Sequence, residues 1–223
     1  MGAVLALDTS GSFCSVAVRS SSGAVHFKHS TGAGDHFEQL PGLVRSVCQE
    51  ASLQLSDLVE LRVGVGPGSF TGLRIGMSFA KGLALALRIP CIGVCSFFAA
   101  ASARTIQEAV SGRITVLADA RRSELFHALY DVASGELLVV SPPKIVSNAD
   151  AIAVSKHGGL HITPQKELNL EGLPVSPEPT IACGMLTAEA SQGCFCVADL
   201  ASLEPFYLRD VSAKTIEQRR SQG

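Results

Sequence analysis

Leu61-Arg62-Val63-Gly64-Val65-Gly66-Pro67-Gly68-Ser69-Phe70-Thr71-Gly72 changes character twice in a short span. Leu61–Val65 has the apolar run of a short buried strand, and Gly66 to Ser69 make a turn. From Phe70 to about Leu87 the residues read as a long helix, which Pro90 ends. Cys91-Ile92-Gly93-Val94 is the next strand, so a helix joins two parallel strands here. Working upstream, Val4–Leu7 is a strand closing at Asp8-Thr9-Ser10-Gly11. Phe13–Val18 alternates, with Ser15 out of phase, and Ala24–His29 follows a Ser-Ser-Gly turn, which gives a three-stranded meander. Between meander and strand, Asp35–Ala51 switches to helical spacing at Phe37, Leu40, Val44, Val47 and Cys48, with Asp35 as N-cap. Pro41 cannot bond back to Phe37, so a kink or a late start is expected there.

The first 95 residues therefore read β-β-β-α-β-α-β. This is the order of the actin/Hsp70/hexokinase-like (ribonuclease H-like) half-domain, with a plain doubly wound α/β sheet as the alternative. The second half starts in the same way. Ser96–Val110 is helical, Ile114–Ala118 is a strand ending at Asp119-Ala120-Arg121, and Glu124–Val132 and Leu137–Lys144 pair as a meander. Residues 145–180, with Pro164, Pro174, Pro177 and Pro179, are expected to be mostly irregular, and Ile181–Gln192 helical. The reading is thus an imperfect duplication with the second copy reduced. A first subdomain spans 1–95 and carries the helices 35–51 and 70–88. A second spans 96–209, its 181–192 helix free to pack back on the first, and a polar tail covers 210–223.

Composition narrows the function. Hydrophobic residues make up 47% of the 223 residues, and the mean hydropathy is +0.31, enough for a packed core. A net charge of −2 argues against nucleic-acid binding by this chain alone, since phosphates demand a basic excess. Trp is absent and Tyr occurs twice, so base-stacking platforms are scarce. The seven cysteines are odd in number and contain no Cys-x-x-Cys pair, which reads as reduced thiols in a cytoplasmic protein. Cys194-x-Cys196 offers two ligands only. The apolar stretch 70–95 is broken by Arg74, Lys81, Arg88 and Pro90, so no membrane span is expected, and no signal peptide precedes Ala3–Leu7.

Several motifs invite chemistry. Asp8-Thr9-Ser10 stands where this fold puts a phosphate-binding turn; the alternative is an ordinary strand-ending turn with local bonds. Gly66–Gly72 is a glycine-rich turn at a helix start, without the Gly-Lys-Ser/Thr of a Walker motif or a dinucleotide spacing. Along the helix that follows, Gly72, Gly76, Ala80 and Ala84 recur every four residues. Interior glycine costs about 0.5–1 kcal/mol against alanine, so this ridge implies close approach by another backbone, from its own sheet or from another chain. Arg74, Lys81 and Arg88 repeat every seven on a solvated or pairing stripe. His36 has Leu40 where a second histidine would complete an i,i+4 metal site, and His157-Gly158-Gly159-Leu160-His161 lacks a helix to set its geometry, so no metal is expected. No Ser/His/Asp or Cys/His arrangement and no Gly-x-Ser-x-Gly elbow is present.

Three stretches carry a specific resemblance: Ala6–Ser10 with Cys14–Ala17, Gly64–Gly76 continued by Ala80–Ala84, and Glu204-Pro205-Phe206-Tyr207-Leu208-Arg209. Asp119-Ala120-Arg121 with Glu124 adds to it. By these the chain resembles the TsaB (YeaZ) family of bacterial tRNA-modification subunits, closely over 4–144, adequately over 181–214 and weakly between. The resemblance implies a non-catalytic partner of a TsaD-like catalytic subunit, which transfers a threonylcarbamoyl group to the adenosine beside the anticodon of ANN-reading tRNAs. It also implies a TsaE-like ATPase in the assembly, homodimers when alone, and contact with tRNA only through the complex. His36, Leu40, Gly72, Arg74, Gly76, Ala80 and Lys81 fall on the two helices where the family's subunits meet. Asp119-Ala120-Arg121-Arg122 lacks the glycine of a second phosphate turn, so no cofactor is expected. The rivals are a free-standing ATP-dependent enzyme of the same fold, a metalloprotease-like hydrolase, and a homodimeric binding module unrelated to tRNA.

Overall fold

The computed structural model describes residues 2–30, 36–108, 110–155, 158–170, 172–187 and 200–208. Ala3–Asp8 (β1) is buried at every position, so it lies in the middle of a sheet with both faces covered. It pairs antiparallel with Ser15–Arg19 (β2), Leu5 opposite Val18, and β2 pairs antiparallel with Val25–His29 (β3). On its other side β1 runs parallel to Leu58–Gly66 (β4), Leu5 opposite Leu61, and β4 parallel to Cys91–Cys95 (β5). The order is β3-β2-β1-β4-β5. His36–Glu50 (α1) links β3 to β4, continuous across Pro41 and not starting after it, and Phe70–Leu87 (α2) links β4 to β5. Ser69 caps α2, its hydroxyl accepting from the Gly72 N–H at 3.2 Å, and Arg88 closes the helix in the left-handed conformation at φ 56°.

The second sheet repeats the plan. Gly112–Arg121 (β6), Glu124–Ala133 (β7) and Glu136–Ser147 (β8) form an antiparallel meander. Leu160–Thr163 (β9) runs parallel to β6, with His161 opposite Thr115, and Ser176–Pro177 (β10) parallel to β9. The order β10-β9-β6-β7-β8 is that of the first sheet, strand for strand. The copy is reduced where expected: β10 has two residues, and no helix joins β9 to β10 among the described residues.

The stretch 145–180, read as mostly irregular, is regular over much of 145–163 and irregular after it except at β10. It holds the end of β8, a helix at Asn148–Ser155 (α4), β9 and β10. The period was hidden because α4 buries only Ala151 and Ser155, and β9 is four residues long. The helix expected over 181–192 spans Ile181–Met185 (α5) and gives way to a turn at Leu186; residues 188–199, with Cys194 and Cys196, lie outside the described residues, as do 209–223.

Ser96–Gln107 (α3) and α5 form the layer between the two sheets. α3, which follows the first copy, packs on strands of both sheets, and α5, which follows the second copy, packs on the first sheet. One shared core results, with Ala6 and Ala17 from the first sheet, Phe97 and Phe98 from α3, Val116 and Tyr130 from the second sheet, and Met185 from α5. A second core lies between the first sheet and α1 and α2, and a third, smaller one lies under α4.

Candidate functional site

The carboxyl end of β1 sets the chemistry of the cleft between the copies. Asp8 has no exposed surface. Its Oδ1 accepts from the Ser10 N–H at 2.9 Å and the Ser10 hydroxyl at 2.7 Å, and its Oδ2 accepts from the Ser96 hydroxyl at 2.6 Å. Ser96 opens α3, so the aspartate ties the first strand to the helix between the sheets. Gly64 makes room for it, since a β-carbon there would overlap Asp8 Oδ2. The Thr9 hydroxyl also turns inward, donating to the Gly72 carbonyl at 2.7 Å. All three side chains of this turn are therefore engaged by the chain's own groups.

The cleft beside this turn measures about 490 Å³. One wall is Ser10, Gly11, Ser12 and the start of α2 at Gly68–Thr71; the other is Ala118–Arg121 and Gln165. The Ser69 N–H donates to the Ser10 carbonyl at 2.7 Å, and the Ser12 N–H to the Pro164 carbonyl at 3.1 Å, which pins the turn from both sides. The β6–β7 turn holds three successive non-glycine residues in the left-handed region, Arg121, Arg122 and Ser123, at φ 66°, 59° and 60°. Asp119 steadies it: Oδ1 accepts from the Arg121 N–H at 2.7 Å, Oδ2 lies 3.5 Å from the Arg121 guanidinium, and the Asp119 N–H donates to Gln165 Oε1. Asp119 is the one carboxylate among the described residues of the cleft wall, and it faces its own arginine. The arrangement can admit a polar molecule.

The glycine ridge of α2 is resolved in favour of the chain's own sheet. A β-carbon on Gly72 would overlap the Thr9 carbonyl and one on Gly76 the Thr9 hydroxyl, while Ala80 and Ala84 have no exposed surface. Gly72, Gly76 and Ala80, expected at a partner interface, are thus internal: at about 100° per residue the four-residue repeat lands on the side facing β1. Leu40 is 1% exposed and forms the floor of a groove; the His36 side chain and His157 lie outside the described residues. Arg74 is exposed and Lys81 half-buried.

The outward face of these helices is a different set of residues. Between α1 and α2 runs a largely apolar groove of about 560 Å³, lined by Leu40, Pro41, Phe70, Ile75 and Phe79. Arg74 lies over the Phe70 ring, 3.8 Å from its centroid, and donates from Nε to the Tyr207 hydroxyl at 3.1 Å. Further along α2, Leu85 is 73% exposed, and Gly82 is exposed with nothing near enough to touch an added β-carbon. Gly42 in α1 is equally unencumbered. Sequence spacing missed Gly42, Gly82 and Tyr207; a helical glycine outside the four-residue ridge was the available signal.

Residues 30–216 match the family described as TsaD: tRNA N6-adenosine threonylcarbamoyltransferase. The tRNA threonylcarbamoyladenosine biosynthesis protein TsaB of Escherichia coli is 34% identical over 127 residues, covering 57% of this chain and 54% of that protein. An uncharacterized protein of Mycobacterium tuberculosis is 36% identical over 186 residues, covering 81% and 78%. The solved YeaZ of Pseudomonas aeruginosa aligns with a TM-score of 0.73 at 26% identity, covering 93% of this chain and 100% of that one.

The chain belongs to the TsaB (YeaZ) family. Its match spans about half the length of the E. coli relative. The stretch Glu204–Leu208 has a structural role here: the Phe206 N–H donates to the Val65 carbonyl at 2.7 Å and Tyr207 reaches Arg74, just after Leu203, which is buried in the core under α2. The same TsaB-family fold holds its described cysteines as free thiols. Burial, with Asp8 adding to it, pushes Cys14 up to about 12; burial raises Cys91 to about 11, and burial with Glu178 raises Cys183 to about 12. Among the described residues no group of three or more His, Cys, Asp or Glu gathers to hold a metal, and no helix is long and apolar enough to cross a membrane.

Proposed function

We propose that this chain is a non-catalytic subunit of the machinery that makes threonylcarbamoyladenosine in tRNA, acting by docking a TsaD-like catalytic subunit through the outer face of α1 and α2. The observation that carries the docking face is Gly82. Glycine in a helix interior costs about 0.5–1 kcal/mol, and here no internal contact accounts for it. With Leu85 in the open and the apolar groove beside Phe70 and Ile75, the residues match a surface meant to meet another helix closely. The same face supports homodimers when the partner is absent. The inward commitment of Asp8, Thr9 and Ser10 supports a scaffold over a catalyst. The net charge of −2 supports reaching tRNA through the complex, where a TsaE-like ATPase and cytoplasmic residence follow from the same reading.

Co-expression with a TsaD-like protein tests this. The wild-type chain is expected to co-purify and sediment as a complex, and Gly82→Leu to fold normally and fail to associate. A folded Gly82→Leu chain that binds the TsaD-like protein as tightly as wild type would remove α2 as the docking face.

A further inference from the structure

We propose that the outer face of the second sheet, beneath α4, holds an internal hydration site in which ordered water bridges Thr115, His127 and Ser155. Thr115 stands on β6 opposite His161 of β9, and two residues along the strand Leu117 stands opposite His127 of β7, so these side chains share one face. Ser155 ends α4 above them, its carbonyl within 3.2 Å of His161 Nε2. Thr115, His127, Ser155 and His161 are at most 7% exposed. Thr115 Oγ1, both ring nitrogens of His127 and Ser155 Oγ nevertheless have no hydrogen-bond partner among the described residues. Each such orphan costs about 1–3 kcal/mol if left unmet, and folded proteins pair more than about 90% of their buried polar groups.

The groups present define what can satisfy them. A neutral imidazole offers one donor and one acceptor and each hydroxyl offers both, so the occupant must both donate and accept. It must be small, because Leu117, Leu125 and Ala151 fill the rest of this layer. It must be uncharged. Lys144 stands opposite His127 on β8 and opposes a cation, while burial, with Lys144 adding to it, lowers His127 to about 4, so no buried positive charge awaits an anion at neutral pH. Water meets all three requirements.

A crystal structure of the whole chain at a resolution that shows solvent is expected to place water within hydrogen-bonding distance of Thr115 Oγ1 and of His127 or Ser155. In solution, long-lived water should give cross-relaxation to protons of the same residues. The double variant Thr115→Val, His127→Leu is expected to lose that signal without a lower melting temperature. Direct bonds among Thr115, His127 and Ser155 with no water between them would overturn the proposal, as would a folded double variant that keeps the signal. If the double variant does not fold, the wild-type measurements decide alone.

Discussion

The Thr9 hydroxyl occupies the space that a β-carbon on Gly76 would need. It is held there by donating to the Gly72 carbonyl at 2.7 Å, so α2 lies against the end of β1 with no room for a methyl group. Replacing Gly76 by alanine gains about 0.5–1 kcal/mol of helix propensity and meets an overpacking penalty of about 1–3 kcal/mol. The penalty wins. Gly76→Ala is expected to be destabilised in urea titration and Gly76→Leu not to fold, in contrast to the tolerated change at Gly82. A Gly76→Ala midpoint at or above wild type would show that Thr9 yields freely.

Asp8 and Ser96 supply the second expectation. Hydrogen bonds to a charged group contribute about 1.5–3 kcal/mol each, and Asp8 accepts from Ser10 twice and from Ser96 once, in full burial. Ser96→Ala should cost about 2 kcal/mol and Asp8→Ala clearly more. Because these oxygens are engaged internally, ATP with magnesium should leave the wild-type melting temperature unchanged. A ligand-dependent rise that Asp8→Asn removes would restore the turn as a nucleotide site.

His127 makes stability depend on pH. Its folded value, about 4, lies below the unfolded 6.5, so the folded chain holds fewer protons and is stabilised as pH rises. Stability is expected to fall as pH drops from 6.5 toward 4, by roughly 3 kcal/mol in all. Denaturant midpoints measured across that window should show the slope in wild type, and His127→Leu should flatten it. An equal slope in the variant would assign the effect to other groups.

Glu178 is 1% exposed and depends on Arg104, whose Nε donates to its Oε2 at 3.0 Å, with Gln107 and Thr180 completing the set. Arg104→Ala leaves that carboxylate buried without its charge partner, at a cost of about 3–5 kcal/mol. Arg104→Met with Glu178→Met should recover much of it in the same melting experiment. A single variant as stable as wild type would mean that Glu178 reaches solvent once its partner is gone.

What the sequence disclosed depended on element length. β1, β2 and β4 are central strands of five or more residues, and α2 is long and bounded by Ser69 and Pro90, so periodicity found each of them. β9, β10 and α4 are too short to show a period, yet their neighbours Pro164 and Gln165 close the cleft. At the candidate site, spacing marked Gly72 and Gly76 as places of close approach. It could not say from which side, because which face of α2 meets β1 is fixed by packing. Ser96 was equally hidden: an aspartate bound across 88 positions leaves no local pattern.

The packing of α5 on the first sheet bears on how the chain matures on the ribosome. When only β1 to β5 have emerged, Ala6 and Ala17 belong to a sheet whose inner side is bare, because its cover, α5, starts at Ile181. Synthesis must pass Ile181 before α5 can complete that lining, so the two copies reach their final form together.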